Sequence, residues 1–161
     1  MTRRGQFITF EGTEGVGKST QLANAASTLD ALGVDCVVTR EPGGTPMAES
    51  IRELLLAPPG SGWTMEAEAL LFAAAKADHV AHSIRPALDD GEWVICDRFI
   101  DSSRAYQGVA GEMGDDAIMG LHAFGSDGLM PDLTIMIEAP QDVVRSVAAL
   151  AGPALTEGPE L

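Results

Sequence analysis

Basic residues are scarce in this chain, which has 10 lysines and arginines against 24 aspartates and glutamates among 161 residues. The formal net charge of −14 disfavours binding to nucleic-acid backbones and to anionic membranes. The sequence also lacks a charged-then-apolar leader and any apolar run long enough to span a membrane. We therefore predict a cytoplasmic protein with no nucleic-acid or membrane partner, in which any bound polyanion is held by a local group of donors.

Metal-binding and disulfide patterns are missing as well. The two cysteines, Cys36 and Cys96, lie in apolar strand-like runs, which is typical of buried thiols rather than of ligands or nucleophiles. The histidines show no ligand spacing with cysteines or carboxylates, so His79, His82 and His122 are predicted to be structural or solvated.

The length and the 45% hydrophobic content are sufficient for one domain with a core. Apolar runs alternate with segments of helical period, which predicts an α/β fold: a parallel sheet flanked by helices on both faces. Strands are predicted over residues 6–10, 35–39, 92–96 and 133–138, and helices over residues 21–32, 65–88 and 112–124. The domain is assigned to residues 1–150, including a last short helix after Pro140, and residues 151–161 to a flexible tail.

A glycine-rich run between the first strand and the first helix has the pattern G-x-x-x-x-G-K-[ST]. Its glycines allow backbone N–H groups to approach phosphate oxygens, Lys18 is placed to reach the β- and γ-phosphates, and the Ser19 hydroxyl is placed to ligate Mg²⁺. The predicted ATP-binding residues are Gly12, Thr13, Glu14, Gly15, Val16, Gly17, Lys18, Ser19 and Thr20. A glycine-rich surface turn is the alternative interpretation, whereas the order G-x-x-G-x-G disfavours a dinucleotide fingerprint.

A second pair of polar residues follows the third strand. Asp97 is expected at the same carboxyl edge of the sheet as the phosphate loop, where it would orient Mg²⁺ or its waters beside Ser19. Arg98 can bind an acceptor phosphate with both arms of its guanidinium. Lys18, Asp97 and Arg98 are therefore the predicted catalytic residues, with a helix cap at Asp97 and a surface ion pair at Arg98 as the alternatives.

Further motifs follow in order along the chain: residues 39–45 (TREPGGT), 70–74 (LLFAA), 97–108 (DRFIDSSRAYQG) and 131–134 (PDLT). Together with the phosphate loop they make residues 5–145 resemble the bacterial thymidylate kinase family. The resemblance implies a P-loop kinase fold, phosphoryl transfer from ATP to dTMP with Mg²⁺, and a possible homodimer.

The resemblance also implies roles for the acceptor site. Glu11 matches the acidic residue near the sugar 3′-hydroxyl and the metal waters, Phe72 matches the ring that stacks on thymine, and Tyr106 matches the residue that crowds the 2′ position. The other implied dTMP-binding residues are Arg40, Pro42, Lys76, Arg98, Ser102, Ser103 and Gln107. From spacing alone, an apolar helix residue such as Phe72 is more often part of the core, and the sequence Pro42-Gly43-Gly44 is nearly as typical of a structural turn.

The chain departs from the family pattern in two places. Ala75 and Lys76 stand where the family usually has aspartate and arginine. Lysine keeps the charge but lacks the planar fork, so looser or differently arranged base recognition is expected. Members of the family also add an arginine-rich lid, a fifth strand and terminal helices. Arg145 is the one basic residue after Arg104, and none of Thr13, Glu14 and Val16 is basic.

The missing arginines leave two hypotheses open. The first is an active dTMP kinase whose catalytic charge comes from Arg104, Arg145 or a partner chain. The second is a C-terminally shortened relative that binds nucleotide with little turnover. A P-loop switch ATPase would not explain the motif at residues 97–108. The apolar last strand, residues 133–137, is further predicted to promote self-association if it is uncovered.

Overall fold

The computed structural model describes residues 4–144, in which four parallel strands form one sheet. The strands are β1 (Phe7–Glu11), β2 (Cys36–Arg40), β3 (Trp93–Asp97) and β4 (Leu133–Met136). Their order across the sheet is β2-β3-β1-β4, so the chain passes to opposite sides of β1 and opens a crevice at the carboxyl ends of β1 and β3. The predicted parallel sheet is confirmed. The first three strands each begin and end one residue later than predicted.

Six α-helices and two π-helical segments surround the sheet within residues 4–144. The helices are α1 (Lys18–Ala31), α2 (Pro46–Leu56), α3 (Met65–His79), α4 (Arg85–Asp90), α5 (Ile100–Ser103) and α6 (Asp115–Ser126). The π-helical segments, Val80–Ile84 and Arg104–Ala110, continue α3 into α4 and extend α5. The predicted helix over residues 65–88 is therefore confirmed, with a π segment inside it, whereas α2 and the helical turns from residue 100 to 110 were not predicted.

The helices start where the sequence supplies caps. The Thr45 side chain accepts a hydrogen bond from the Ala48 N–H at the start of α2, and Pro46 occupies the first turn. Thr64 accepts from the Ala67 N–H at the start of α3 in the same way.

Apolar packing covers both faces of the sheet, as predicted. On one face Leu22 of α1 packs against Phe10 and Ile95. On the other face the larger cluster includes Phe7 and Val94 from the strands and residues of the α3–α4 helix and α6. This core fixes the strands that carry the site. Within it Cys96 is buried, and burial raises the pKa of its thiol well above the usual range.

The last strand lies at an edge of the described sheet. Leu133 is 52% and Met136 58% exposed, and self-association through this strand stays a prediction. The tail over residues 151–161 and most of the helix predicted after Pro140 lie outside the described residues. No helix within residues 4–144 has the length and apolar character needed to cross a membrane.

Candidate functional site

The glycine-rich loop between β1 and α1 forms a cradle of backbone N–H groups. Gly12, Gly15 and Gly17 have φ values of 142°, 74° and 94°, a range that favours glycine. A Cβ atom at Gly12 would lie 2.3 Å from the Ile137 carbonyl oxygen, so the close approach of these two backbone segments also requires glycine there. Gly17 caps α1 without a side-chain hydrogen bond, which leaves the first N–H groups of the helix to bind an anion.

Lys18 folds back over this loop. Its Nζ donates a hydrogen bond to the Thr13 carbonyl oxygen at 2.8 Å, and the residue is buried. Burial and, secondly, the charge of Arg98 lower the pKa of Lys18, while nearby carboxylates partly oppose this shift. The ammonium therefore lies in a partly desolvated position beside a second cation, where an anion with several charges would stabilise both.

Asp97 and Ser19 face each other across the crevice. The Ser19 hydroxyl donates to Asp97 Oδ2 at 3.3 Å, and Asp97 Oδ1 is buried without a hydrogen-bond partner among the described residues. In the sheet, Asp97 pairs with Phe10 of β1 and Arg40 of β2, which fixes its position at the crevice. A buried carboxylate oxygen without a donor, next to a serine hydroxyl, is a donor set that fits Mg²⁺.

Glu11, the last residue of β1, braces the turn that follows β3. It is 2% exposed, and its Oε1 accepts from the Phe99 N–H at 2.8 Å while its Oε2 accepts from the Ser102 hydroxyl at 2.6 Å. Both carboxylate oxygens are thus bound within the protein. The implied contacts of Glu11 with the acceptor sugar and metal waters stay a prediction.

Arg98 has a strained backbone beside the phosphate loop. Its φ of 68° is unusual for a residue other than glycine, and its N–H donates to the Phe10 carbonyl at 2.9 Å. The guanidinium Nη1 lies 3.1 Å from Ser102 Oγ and 3.5 Å from the Tyr106 hydroxyl, and its carbon is 5.4 Å from the centre of the Tyr106 ring. These contacts orient the guanidinium, and non-glycine strain of this kind is common at functional sites.

Two arginines flank the turn after β2, Arg40 at the end of the strand and Arg52 on α2. Arg40 is paired with Glu49 at 3.0 Å, and Arg52 donates to the carbonyl oxygen of Pro42 at 2.8 Å; the Glu41–Pro42 peptide bond is cis. Burial and then the charge of Arg40 lower the pKa of Arg52. Arg52 was not predicted as a site residue because it lies on the unpredicted helix α2, although the Thr45-Pro46 cap was a usable signal.

A narrow cleft lies between α3, the 100–110 helical turns and α6. It encloses about 290 Å³ of empty space, including the part open to solvent. Four predicted acceptor-site residues line it together: Phe72, Lys76, Ser103 and Gln107. Of the other predicted acceptor residues, Ser102 and Tyr106 both contact the Arg98 guanidinium. Stacking by Phe72 stays a prediction, and its position on the wall of a cleft, only half-buried, is compatible with it.

Lys76 is bound by a buried carboxylate. Its Nζ donates to Glu41 Oε2, and it lies 4.3 Å from the centre of the Phe99 ring. The other oxygen of Glu41 faces His79 Nδ1 at 3.1 Å, and His79 Nε2 contacts Thr39 Oγ1 at 2.7 Å. His79 is thus structural, as predicted. Burial favours the neutral acid of Glu41, but Lys76 and His79 outweigh it, so the pKa of Glu41 is lowered.

Replacing Glu41 with glutamine is expected to destabilise the fold by about 3–5 kcal/mol, because it leaves the Lys76 ammonium buried without a counter-charge. The lowered pKa means that Glu41 contributes stability above its ordinary value of 4.5 and loses it as the pH falls through the folded-state value. Urea unfolding at neutral and acidic pH measures both effects. The variant should have a lower free energy of unfolding at pH 7, and this free energy should fall less than that of the wild type as the pH is lowered.

The matched double variant, Glu41→Gln with Lys76→Met, should recover much of the loss, since it removes both charges. Asp115→Asn is the control, because it breaks only the exposed pair with Arg104 and should cost less than about 1 kcal/mol. A double variant with a free energy of unfolding as low as that of Glu41→Gln would contradict the buried-pair explanation.

Arg104, one candidate source of the catalytic positive charge, is already paired with two carboxylates. Arg104 binds Asp115 at 2.7 Å and Asp101 at 3.1 Å, and these hydrogen bonds raise its pKa. The other candidate, Arg145, lies outside the described residues. Among residues 4–144 there is also no group of three or more His, Cys, Asp or Glu side chains suited to a metal, so a metal would depend on ligand oxygens as well as on Ser19 and Asp97.

The known proteins that this chain resembles in sequence and in structure are thymidylate kinases. The thymidylate kinase family model matches residues 10–149. A thymidylate kinase of Rhizorhabdus wittichii is 60% identical over 136 residues, which are 84% of this chain and 65% of that protein. One of Bradyrhizobium sp. strain BTAi1 is 49% identical over 150 residues, which are 92% of this chain and 66% of the relative. The chain thus spans about two thirds of the length of these relatives.

A solved structure shares the fold. The crystal structure of thymidylate kinase from Ehrlichia chaffeensis superimposes with a TM-score of 0.78 at 39% identity, covering 89% of this chain and 76% of that one.

Proposed function

Because this chain belongs to the thymidylate kinase family, we propose that it transfers the γ-phosphate of ATP to dTMP and so produces dTDP. The observation that carries the proposal is the meeting of two cations at one crevice. Lys18 folds back over the phosphate loop that follows β1, and Arg98 follows β3, the strand paired with β1, where its N–H donates to the Phe10 carbonyl of β1. Two such groups at the ends of adjacent strands suit a donor phosphate and an acceptor phosphate.

The chemistry asks little of the protein beyond position and charge. An acceptor that is already a phosphate needs no strong general base, so catalysis depends on in-line placement and on neutralising charge on the transferred group. In the proposal, the loop N–H groups and Lys18 bind the donor phosphates, and Arg98 binds the acceptor phosphate through both guanidinium arms. Ser19 and Asp97 would hold Mg²⁺, which supplies further charge neutralisation.

The cleft supplies the acceptor base site of the proposal. Phe72 provides an aromatic face, and Ser103 and Gln107 provide polar atoms at its wall. Tyr106 lies against Arg98, where its ring would crowd a 2′-hydroxyl. The Lys76–Glu41 pair supports the expectation of altered base recognition, because the ammonium is bound to Glu41.

The proposal includes cytoplasmic localisation, the absence of nucleic-acid and membrane partners, and a homodimer. The formal charge of −14 supports the absence of nucleic-acid and anionic-membrane partners. The exposed apolar residues Leu133 and Met136, on the edge strand β4 of the described sheet, support association with a second copy.

A second candidate function is nucleotide binding with little turnover. It is favoured by the occupied state of Arg104 and by the non-basic residues Thr13, Glu14 and Val16 in the loop. An arginine that neutralises the moving phosphoryl group is worth roughly 10³–10⁵ in rate in related enzymes.

A coupled assay of the purified chain with ATP, Mg²⁺ and each nucleoside monophosphate distinguishes the two functions. We expect turnover with dTMP that exceeds that with dCMP, AMP and GMP by at least about 10²-fold, since the base site is lined by few, fixed polar groups. Calorimetry with ATP and with dTMP is run on the same sample. Binding of both nucleotides without turnover would support the second function, and no binding of either would contradict both.

A further inference from the structure

Glu68 is a residue for which neither the sequence motifs nor the proposed mechanism provides a role. It lies on α3 four residues before Phe72 and eight before Lys76, so the three side chains share one stripe of the helix. Phe72 and Lys76 line the cleft. Glu68 is half-buried on the same stripe, and its hydrogen-bond partner lies on the opposite wall of the cleft.

That partner is the side-chain amide of Gln107. Gln107 Nε2 donates to Glu68 Oε1 at 2.9 Å, and Gln107 is 3% exposed while lining the cleft. An ionised carboxylate only accepts hydrogen bonds. The amide nitrogen of Gln107 must therefore face Glu68, because turning the amide over would place its carbonyl oxygen against the carboxylate.

We propose that Glu68 is a positioning residue that fixes the orientation of the Gln107 amide and thereby selects an imide-type pyrimidine edge, as in thymine and uracil, over the amino-pyrimidine edge of cytosine; this inference rests on the proposed function. A fixed amide presents one carbonyl acceptor and one remaining N–H donor at set positions. An imide offers a ring N–H donor beside a carbonyl acceptor. Cytosine offers the opposite order, which only the reversed amide matches.

Lys76 does not compete for this role. Its ammonium is bound to the buried Glu41 carboxylate and covered by the Phe99 ring. Since Phe72 provides only a face for stacking, the choice between base edges falls on the hydrogen-bonding groups at the wall. Of these, Gln107 is an amide, whose donor and acceptor exchange places on reversal, and Glu68 prevents that reversal.

The test compares dTMP, dUMP and dCMP with the wild-type chain and with Glu68→Gln, by calorimetric binding and by the coupled assay. The introduced glutamine can donate as well as accept, so the Gln107 amide can adopt either orientation. We expect the preference for dTMP over dCMP to fall at least about tenfold, roughly 1.4 kcal/mol. Glu66→Gln is the matched control, because it removes the same charge from an exposed position on the same helix and should leave the preference unchanged.

The preference ratio separates positioning from a general loss of packing, which lowers the affinity for all three nucleotides together. Glu68→Asp, which keeps an acceptor-only group, should retain more of the preference than Glu68→Gln. Should Glu68→Gln fold poorly, Glu68→Ala replaces it, because removing the carboxylate also leaves the Gln107 amide free to adopt either orientation and should lower the preference by a similar factor. An unchanged ratio in a folded Glu68→Gln variant overturns the inference alone. A wild-type chain that binds none of the three monophosphates overturns the proposed function, and the inference with it.

Discussion

Lys18→Ala is expected to lower phosphoryl transfer from ATP by at least about 10³-fold, because it removes the ammonium that lies against the phosphate loop. The fold should remain intact. Burial and Arg98 lower the pKa of Lys18, so the charged side chain is held at a cost in the folded protein and its removal relieves that cost. Turnover in the coupled assay and the midpoint of thermal unfolding measure the two effects separately.

Two variants control this experiment. Arg4→Gln removes a positive charge near the amino end of β1, where Arg4 pairs with Asp132, away from the carboxyl ends of the strands, and should leave turnover unchanged. Lys18→Arg keeps the charge but not the compact ammonium, and we expect it to recover only a small part of the activity. Turnover within tenfold of wild type in Lys18→Ala would refute the assigned role of the loop.

Arg98→Ala is expected to raise the KM for dTMP by about 10²-fold or more and to change the KM for ATP much less, because a bidentate guanidinium–phosphate contact is lost. Its contacts with Ser102 and Tyr106, two of the predicted dTMP-binding residues, orient the guanidinium. Steady-state kinetics with each substrate varied in turn measure the split. A larger effect on ATP than on dTMP would contradict the assignment.

The backbone of Arg98 supplies a control that most active-site arginines lack. Its φ of 68° suits glycine better than alanine, so Arg98→Gly should be more stable than Arg98→Ala by about 1 kcal/mol while losing the same affinity for dTMP. Equal kinetic defects in two variants of different stability would show that the guanidinium, not the local fold, is responsible. Arg98→Lys should be intermediate, since it keeps charge without the fork.

The sequence predicted the sheet but placed the ends of three strands one residue too early, and the reason concerns function. The apolar runs stop at Phe10, Thr39 and Cys96, so loss of hydrophobicity marked the predicted ends. In the structure β1, β2 and β3 continue for one polar residue each, to Glu11, Arg40 and Asp97. Those residues are paired in the sheet, and each is a predicted site residue, so local polarity concealed their strand conformation.

What the sequence could not predict depends on contacts between distant segments. Glu41 and Lys76 are 35 residues apart, and Gln107 and Glu68 are 39 apart, so no local pattern indicates that they meet. The resemblance assigned Lys76 to the base edge from its position in a motif. Its capture by Glu41 depends on how the turn after β2 packs against α3, which only the tertiary structure reveals.

The hydrogen bond from Lys18 to the Thr13 carbonyl has a consequence for the energetics of the first encounter with nucleotide. The Lys18 side chain already closes over the loop, and the Thr13 carbonyl oxygen takes the place of a water molecule at its ammonium. When a triphosphate binds, a phosphate oxygen replaces the Thr13 oxygen at the Lys18 ammonium. Most of the entropy cost of ordering the loop therefore falls on folding and not on binding. A binding loop that is ordered before the nucleotide arrives should have a fast association rate, and its selectivity should come from a slow dissociation rate of the correct nucleotide.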